Sequence, residues 1–348
     1  MNYQVRFKRC LRDVMDYLVL VGTLLLFKLI KSESVRGHQS LLRLHSRYGS
    51  NINDHLAMFL ARGYKKVNFL GLKSTLNWGD SDSLSAHNEL LIDGYCYRTC
   101  LLPQEVVATL LQFALVTPAI PRPMTDEIVV AAPKPALFVR GYPKAVIYDF
   151  RRKELVQLPE VQNLICDRGI LDIAQKYLDA LPILNAVSMW WQTDLLSNPD
   201  SEAAQFYHYD MDGIKWLKVF IYLTDVTAKT GPHTFIRSSH IAGNIPEEIL
   251  KLGYTRLTDE MISRLYSSDY VKEFVGKKGT VIIEDTRGLH KAKHVQSGDR
   301  LILQLQYSSS LFGMLGGNYR PVTLPTVLTD NLRLAINSYP KVFEQFFG

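Results

Sequence analysis

Residues 205–213, QFYHYDMDG, place one histidine, two aspartates and two tyrosines within nine positions. In an extended segment alternate side chains point to the same side, so His208 and Asp210 would lie next to each other. Imidazole and carboxylate are both ligands of transition metals, although a His-x-Asp pair also arises by chance in many proteins. The pair therefore predicts a metal site only if a third ligand comes from elsewhere in the chain. Asp212 has the same parity but is expected to belong to the turn at Gly213.

A second histidine, about 80 residues further along the chain, can supply that third ligand. His290 follows an apolar run and the turn DTRGL, and Arg300 opens another apolar segment ten residues later. With the first pair, His290 would complete the two-histidine, one-carboxylate arrangement that holds Fe(II) and leaves other coordination positions open. His294 lies in the same loop. We predict His290 as the ligand, because it directly follows the turn and keeps the ten-residue gap to Arg300.

Polar side chains on two apolar segments could bind an anion beside such a metal. In RLILQLQY (300–307), Arg300 shares a face with two glutamines, and its planar guanidinium can bind a carboxylate through two hydrogen bonds. In WLKVFIYLT (216–224), Lys218 and Tyr222 share a mixed face that lies either in solvent or in the same cavity. We therefore predict Arg300, Lys218 and Tyr222 as candidate contacts of an anionic cosubstrate.

Further candidates lie where the same cavity is expected to have its wall. In MWWQTD (189–194), Gln192 shares the face of Trp190, so Gln192 is a candidate for the cosubstrate and Trp190 for the substrate. Aromatic core packing is the alternative for Trp190. Arg287, in the DTRGL turn, could bind an anionic group of the substrate or brace the loop. His233, after a Gly-Pro turn, could approach the pocket or have a structural role.

The elements that must position these residues change in type along the chain. Residues 1–85 favour a helical N-terminal extension, and five prolines favour a loop over 118–135. Helical patterns recur over 160–181 and 245–269, and residues 89–114 indicate a short strand and then a helix opened by Pro103. Strand patterns cover 185–194, 205–211, 216–224, 232–237, 279–284 and 300–309.

This order of elements predicts an α+β chain with an all-β core and helical additions. The core would be a jelly-roll or cupin-like barrel, formed by residues 86–348 beneath the N-terminal helical layer. The chain has 348 residues, 47% of them hydrophobic, which is enough for a substantial core. The net charge is +6, but no lysine and arginine block is interleaved with aromatic residues, so no nucleic-acid partner is expected.

Cysteine usage and the N-terminal segment bear on location. The four cysteines lack the spacing of a zinc site, which favours reduced thiols and a cytoplasmic protein. Residues 16–31, DYLVLVGTLLLFKLIK, contain an uncharged run of only 11 residues, whereas a membrane-spanning helix needs about 20. We predict a helix buried against the main domain. The alternative is a membrane-surface helix, helped by the basic residues Arg6, Lys8, Arg9 and Arg12.

Two blocks of the sequence resemble the phytanoyl-CoA dioxygenase family of Fe(II)/2-oxoglutarate-dependent oxygenases. They are HYDMDGIKWLKVFIYLTDVTAKTGPHTFIRSSH and EDTRGLHKAKHVQSGDRLILQLQY, and the resemblance extends more loosely over about residues 88–312. It implies a double-stranded β-helix in which Arg300 binds the distal carboxylate of 2-oxoglutarate and the iron ligands are His208, Asp210 and His290.

By that resemblance the protein binds Fe(II), 2-oxoglutarate and O2, converts 2-oxoglutarate to succinate and CO2, and hydroxylates a small-molecule or lipid-like metabolite. Membership of such a family does not determine the substrate. Two alternatives stay open: a cupin-like metalloenzyme that uses the same ligands without 2-oxoglutarate, and a metal-binding protein without catalysis. Arg300 discriminates against the first, because that enzyme has no need of an arginine there. The intact ligand set argues against the second.

Overall fold

The computed structural model describes residues 3–30, 34–61, 65–79, 82–122, 133–211, 213–253, 255–313, 321–343 and 346–347, with only the backbone for 3–9. The chain begins with four helices: α1 (Tyr3–Ile30), α2 (Val35–Tyr48), α3 (Asn51–Ala61) and α4 (Asp82–Ile92). The predicted helical character of the first 85 residues is therefore confirmed for most of their length. Residue 85 lies inside α4, and the domain boundary placed there stays a prediction.

The other helices of the described chain flank or interrupt the β core. They are α5 (Gln104–Val116), α6 (Arg152–Leu155), α7 (Pro159–Ile165), α8 (Arg168–Leu178), α9 (Glu247–Leu252), α10 (Asp259–Leu265), α11 (Asp330–Ser338) and α12 (Pro340–Phe343), with a 3-10 turn at Ser268–Tyr270. α5 begins directly after Pro103, as predicted. Residues 123–132 of the expected loop over 118–135 lie outside the described residues. Asp212, expected to belong to the turn at Gly213, also lies outside them.

The two segments with a helical pattern each form two helices. The pattern over 160–181 forms α7 and α8, because Asp167 caps the second helix: its carboxylate accepts a hydrogen bond from the Ile170 amide at 3.0 Å. The pattern over 245–269 forms α9 and α10. Between them Leu257 pairs with the backbone of the segment that carries His208, which takes this stretch out of the helix.

Ten strands of the described chain form two antiparallel sheets. The strands are β1 (Tyr95–Arg98), β2 (Ile120–Pro121), β3 (Ile147–Asp149), β4 (Ile183–Thr193), β5 (Trp216–Tyr222), β6 (His233–Ile236), β7 (Val271–Phe274), β8 (Val281–Glu284), β9 (His290–Ala292) and β10 (Asp299–Ser308). The large sheet has the order β1-β8-β5-β10-β4-β3-β2, and the small sheet has the order β7-β6-β9. β2, β3, β7 and β9 were not predicted, since each is only two to four residues long, and β2 lies within the segment expected to be a loop.

The expected strand over 205–211 is the one strand prediction that the structure corrects. Only Tyr207 and His208 form bridges, the first with Leu257 and the second with His290. Asp210 donates its amide to the carbonyl of Thr286 at 2.8 Å. Because this backbone bonds three different partners in turn, no continuous ladder forms, but the segment still lies along the edge of the small sheet beside β9.

The large sheet has two different faces. Leucine, valine and isoleucine side chains on its outer face, such as Val219 and Leu303, join the main hydrophobic core with α5, α7 and α8. Its inner face contributes Phe220 and Ile302 to a second cluster, which also contains Phe235 of the small sheet. The two sheets therefore face each other across an aromatic interior. The structure confirms an antiparallel β core with helical additions, whereas closure into a double-stranded β-helix stays a prediction.

Helix α1 packs on this core along one side only. Leu20, Leu24 and Phe27 are buried in a cluster that includes Trp216 and Phe312 from the β domain. The expectation of a helix packed against the main domain is therefore confirmed for that side. Among the described helices, none combines the length and apolarity needed to cross a membrane.

Candidate metal centre

Three side chains from two distant segments meet at the edge of the small sheet. His208, Asp210 and His290 are buried, and one potential ligand atom of each lies within 4.8 Å of the others. His208 Nε2 is 3.7 Å from Asp210 Oδ1, and His290 Nε2 is 3.8 Å from Asp210 Oδ2. The two imidazole rings are 4.4 Å apart. The structure thus brings together the three residues that the sequence predicted, and their arrangement could hold a metal ion.

Backbone carbonyls determine which nitrogen each imidazole presents to the cluster. His208 Nδ1 lies 2.9 Å from the Phe206 carbonyl oxygen, and His290 Nδ1 lies 2.9 Å from the Gly288 carbonyl oxygen. Because a carbonyl oxygen only accepts, each Nδ1 carries the proton and each Nε2 presents a lone pair. Burial lowers the pKa of His208 to about 3 and also lowers the pKa of His290, so both rings are neutral. Neutral imidazoles are the form that binds a metal.

The carboxylate of the cluster has a lysine partner. Lys218 on β5 places its Nζ 2.5 Å from Asp210 Oδ2, and both side chains are largely buried. Burial alone would raise the pKa of Asp210, but Lys218 and the two histidines outweigh it, so the pKa falls below its usual range. Lys218 is therefore largely buried, and its ammonium binds the carboxylate of Asp210. A contact between Lys218 and a cosubstrate stays a prediction.

A buried histidine and a buried glutamate extend the centre along the inner face. His233 on β6 stacks 5.6 Å from the ring of His290 and 4.8 Å from Phe220. Its Nε2 is 2.7 Å from Oε1 of Glu284, the last residue of β8. Burial raises the pKa of Glu284 to about 8 and lowers that of His233 to about 3, so the pair is neutral near pH 7. His233 thus lies beside His290 with its Nε2 bonded to Glu284, a position compatible with both roles considered for it, near the pocket or structural.

Arg300 lies on the inner face of β10 and is only 1% exposed. Its Nη2 donates to Oε1 of Gln192, which is the neighbour of Arg300 across the β10–β4 pair. Within the described part of the protein, Nε and Nη1 of Arg300 and Nε2 of Gln192 have no hydrogen-bond partner. Burial lowers the pKa of Arg300 to about 10, which leaves the guanidinium charged at neutral pH. A buried charge with two donors left over is rare unless a ligand completes it.

The other two predicted wall residues also lie on the inner side. The Tyr222 hydroxyl donates to the Phe274 carbonyl at 2.9 Å and accepts from the His233 amide at 3.0 Å. Tyr222 therefore has two backbone partners, and a cosubstrate contact would have to share them. Trp190 is partly buried against the aromatic interior, opposite Ile302 of β10. Both proposed roles of Trp190, packing and lining, are compatible with this position.

Arg287 makes the contacts expected of a residue that braces the loop before His290. Its Nε is 3.0 Å from Asp285 Oδ1, and its Nη2 is 2.6 Å from Asp285 Oδ2, so the two side chains form a two-pronged ion pair. Nη1 reaches Asp54 of α3 at 3.0 Å, and Tyr177 donates to Asp285 at 2.5 Å. These bonds fix the turn that precedes His290. The expected substrate contact by Arg287 would have to compete with them.

A second residue of α3, Asn53, fixes the segment that carries His208 and Asp210. Asn53 donates to the carbonyl oxygens of Gly213 at 3.2 Å and Ile214 at 2.9 Å, just after Asp210 in the chain. Its Oδ1 lies 2.7 Å from His45 Nδ1, and the His45 ring lies 5.6 Å from that of Tyr209. The N-terminal helices therefore hold both segments that carry the candidate metal ligands.

Glu284, Asn53 and Asp54 were not predicted from the sequence as part of the site. Glu284 could have been noticed as an acid that ends an apolar strand, VIIE, which marks a buried charge. Asn53 and Asp54 carry no such signal, because a polar residue on an amphipathic helix usually faces solvent. His294, the rival of His290, lies outside the cluster and contacts Gln205 at 3.1 Å.

No protein-family model matches this sequence, and no curated protein matches it. Several solved structures are similar to the chain. SnoK, a non-heme alpha ketoglutarate dependent carbocyclase, is 15% identical to this chain. The matched region covers 66% of this chain and 87% of the SnoK chain, with a TM-score of 0.44. The epimerase SnoN, solved with Fe3+, alpha ketoglutarate and nogalamycin RO, is 15% identical, covering 73% and 98%, with a TM-score of 0.43. EctD from S. alaskensis with bound Fe is 18% identical, covering 77% and 94%, with a TM-score of 0.46.

At these identities and TM-scores the likeness carries no argument about this chain. The resemblance to phytanoyl-CoA dioxygenases likewise stays a prediction. What the protein does must be inferred from the centre itself, whose His-Asp-His cluster could hold a metal ion.

Proposed function

We propose that this protein is an Fe(II)- and 2-oxoglutarate-dependent oxygenase with a double-stranded β-helix core. The observation that carries the proposal is the Arg300 guanidinium, which is buried, charged and left with two unpartnered nitrogens. It lies on the inner face of the large sheet, and His290 lies on the small sheet opposite. A metal-binding protein without a carboxylate cosubstrate would have no compensation for this buried charge, which makes such a protein less stable.

The donor set of the cluster fits Fe(II). Two neutral imidazole nitrogens and one carboxylate form the set that non-heme iron oxygenases use, with positions left open for cosubstrate and O2. The described cluster contains no thiolate, the ligand that structural zinc sites favour. The two Nδ1–carbonyl bonds orient the rings in the way that partners around a metal usually do.

The unpartnered donors fit a dicarboxylate. Nε and Nη1 of Arg300 can bind one carboxylate group through two parallel hydrogen bonds, and Nε2 of Gln192 offers a third donor beside them. We therefore infer that Arg300 and Gln192 bind the distal carboxylate of 2-oxoglutarate. Lys218 and Tyr222 would act more indirectly, since Asp210 and backbone groups already occupy them.

Bound Fe(II) and 2-oxoglutarate would supply the activation of O2, with release of succinate and CO2. The contribution of the chain is to bind and to orient. Lys218 holds Asp210 through Oδ2, which directs the carboxylate within the cluster. Phe220 and the other aromatic residues of the interior exclude water from the space between the sheets.

The proposed outcome is hydroxylation of a small-molecule or lipid-like metabolite. His233 and Trp190 are candidates for the wall of the substrate site, because both lie on the inner side near the centre. A role for Arg287 in substrate binding is less favoured, since its guanidinium is bonded to Asp285 and Asp54.

Titration of 2-oxoglutarate into protein loaded with Mn(II), which does not support turnover, tests the binding step. We expect Arg300→Gln to weaken the binding of 2-oxoglutarate about a hundredfold, because two charged hydrogen bonds are lost. The Mn(II) affinity should stay unchanged. Arg237→Gln, at a half-exposed arginine paired with Asp93, is the matched control and should have no effect. Wild-type protein that binds Mn(II) but not 2-oxoglutarate would instead favour a cupin-like metal protein of another kind. Succinate release with Fe(II) and O2 tests turnover.

A further inference from the structure

Helix α1 exposes a continuous apolar face on the side turned away from the protein. Between 48% and 80% of each of these side chains is accessible to solvent, although all are large and apolar. They are Leu11, Val14, Met15, Leu18, Leu25, Leu26, Leu29 and Ile30. Such a continuous patch on one helix is uncommon at the surface of a soluble domain and usually marks an interaction site. We refer to these eight residues as the outer face of α1.

The spacing shows that the outer face is a single stripe. Leu11, Leu18, Leu25 and Leu29 follow one another at intervals of seven or four residues, which places them on the same side of a helix. The opposite side is used for packing, where Leu24 and its neighbours enter the core. The helix is therefore apolar on two sides, and the fold uses only one of them.

The charged residues of α1 divide in the same way. Asp13 is paired with Arg47 and accepts a hydrogen bond from Tyr48 at 2.7 Å. Asp16 is bound by Arg43 at 2.6 Å. Both acids are therefore neutralised by α2 and turned away from the outer face.

Two cations of α1 whose side chains are described are exposed and not paired with an acid. Arg12 and Lys28 are exposed, and no ion pair involves either of them in the described part of the chain. The Lys28 ammonium donates to the Phe59 carbonyl at 3.3 Å and lies 4.6 Å from the centre of the Phe59 ring, so its charge is not neutralised by an acid. The sequence adds Arg6, Lys8 and Arg9 at the beginning of the same helix. The outer face thus combines exposed apolar residues with positive charge and carries no acidic residue.

We propose that the outer face of α1 binds the surface of an anionic lipid bilayer, with the helix lying in the plane of the interface. Apolar side chains would enter the boundary between headgroups and acyl chains, and the flanking cations would attract acidic headgroups. Such a helix does not need to span the bilayer. This proposal is independent of the metal centre, since no residue of the outer face contributes to it.

A second copy of the chain is the other occupant that such a stripe could have. Helices that pair through a stripe of this spacing place charges of both signs beside it, so that the two chains attract each other. Beside the outer face the charges are Arg12 and Lys28. Two such stripes side by side would bring like charges together, whereas an anionic surface would neutralise them.

Co-sedimentation of the full chain with vesicles tests the proposal. We expect binding to phosphatidylcholine vesicles that contain about one-third phosphatidylserine, and at least about tenfold weaker binding to pure phosphatidylcholine. Replacing Leu18 and Leu25 together by Asp should weaken binding to the anionic vesicles at least about tenfold, since two leucines that would enter the bilayer are lost. Arg12→Glu should weaken it about fivefold at low salt.

The matched control replaces Leu70 and Val327 by Asp, two aliphatic residues that are at least as exposed and lie outside α1. It should bind like the wild type, and all variants should keep the wild-type unfolding temperature and Mn(II) affinity. Absence of wild-type binding to anionic vesicles would overturn the proposal, as would equal binding to neutral ones. A dimer in sedimentation velocity that the Leu18, Leu25 double variant abolishes would also overturn it, in favour of self-association.

Discussion

The interior between the two sheets and the outer face of α1 depart from ordinary folding in opposite directions. In the interior, Arg300 and Gln192 are buried although some of their donors have no partner in the described protein. On α1, side chains such as Leu18 and Leu29 are exposed although they would be more stable when buried. In the first region polar groups lack a partner, and in the second apolar groups lack cover.

Other parts of the molecule show that the chain can avoid both situations. Arg287 is as buried as Arg300, but all three of its guanidinium nitrogens are bonded to Asp285 or Asp54. Leu24, next to Leu25 in the sequence, is 1% exposed. We infer from this comparison that each region binds a ligand, and that the kind of missing partner indicates the chemistry of that ligand. Unpartnered hydrogen-bond donors fit a small anion, and exposed leucines fit an apolar surface.

The largest expected effect concerns the metal. His290→Ala removes one of three ligands and should weaken Mn(II) or Fe(II) binding at least about a hundredfold, because loss of a supporting partner alone costs about tenfold or more. Calorimetric titration measures this affinity. His294→Ala, in the same loop but outside the cluster, is the control and should bind metal normally. A normal affinity in His290→Ala would mean that the cluster is not the metal site.

Asn53→Ala should have the next largest effect, although the residue is far from the metal in sequence. It removes two hydrogen bonds to the carbonyls after Asp210 and leaves His45 without its partner. We expect the free energy of unfolding to fall by about 2 kcal/mol and metal affinity to weaken severalfold. Urea unfolding and metal titration measure the two. Asn51→Ala, at the exposed start of α3, should change neither, and equal losses in both variants would argue against positioning by Asn53.

Arg300→Met should improve stability while removing the proposed cosubstrate binding. The metal-free, cosubstrate-free protein should gain about 1 kcal/mol, since the cost of a buried, incompletely paired charge exceeds the value of its single bond to Gln192. The same variant should no longer bind 2-oxoglutarate. Arg287→Met should lose stability instead, because it leaves Asp285 buried without its partner. Thermal unfolding distinguishes the two, and destabilisation by both would indicate that Arg300 has a structural role.

The smallest effect is expected on α1, where neighbouring residues differ in burial. Leu25→Ala should change the free energy of unfolding by less than about 0.5 kcal/mol, because the side chain is exposed. Leu24→Ala should cost about 2 kcal/mol or more, because it leaves a cavity in the core. Chemical denaturation measures both. Similar losses in the two variants would mean that the outer face is already covered, for example by a second chain.

Local patterns were sufficient for much of the fold and for the ligands themselves. The period of two in β5 and β10 identified both strands and divided their side chains correctly between two faces. The types and spacing of His208, Asp210 and His290 predicted a cluster that the structure brings together and that could hold a metal ion, whereas carboxylate binding by Arg300 stays a prediction. Short strands such as β9 were missed, because three residues carry too little pattern to be distinguished from a loop.

The sequence by itself thus determined which residues could form the centre, since ligand chemistry and strand alternation are properties of short segments. Only the tertiary structure decided how they are used. It directed Lys218 to Asp210, Arg287 to Asp285 and Asp54, and Glu284 to His233. It also brought Asn53 from 160 residues away to hold the loop after Asp210. Contacts over such separations depend on how helices and sheets pack, and no local spacing records them.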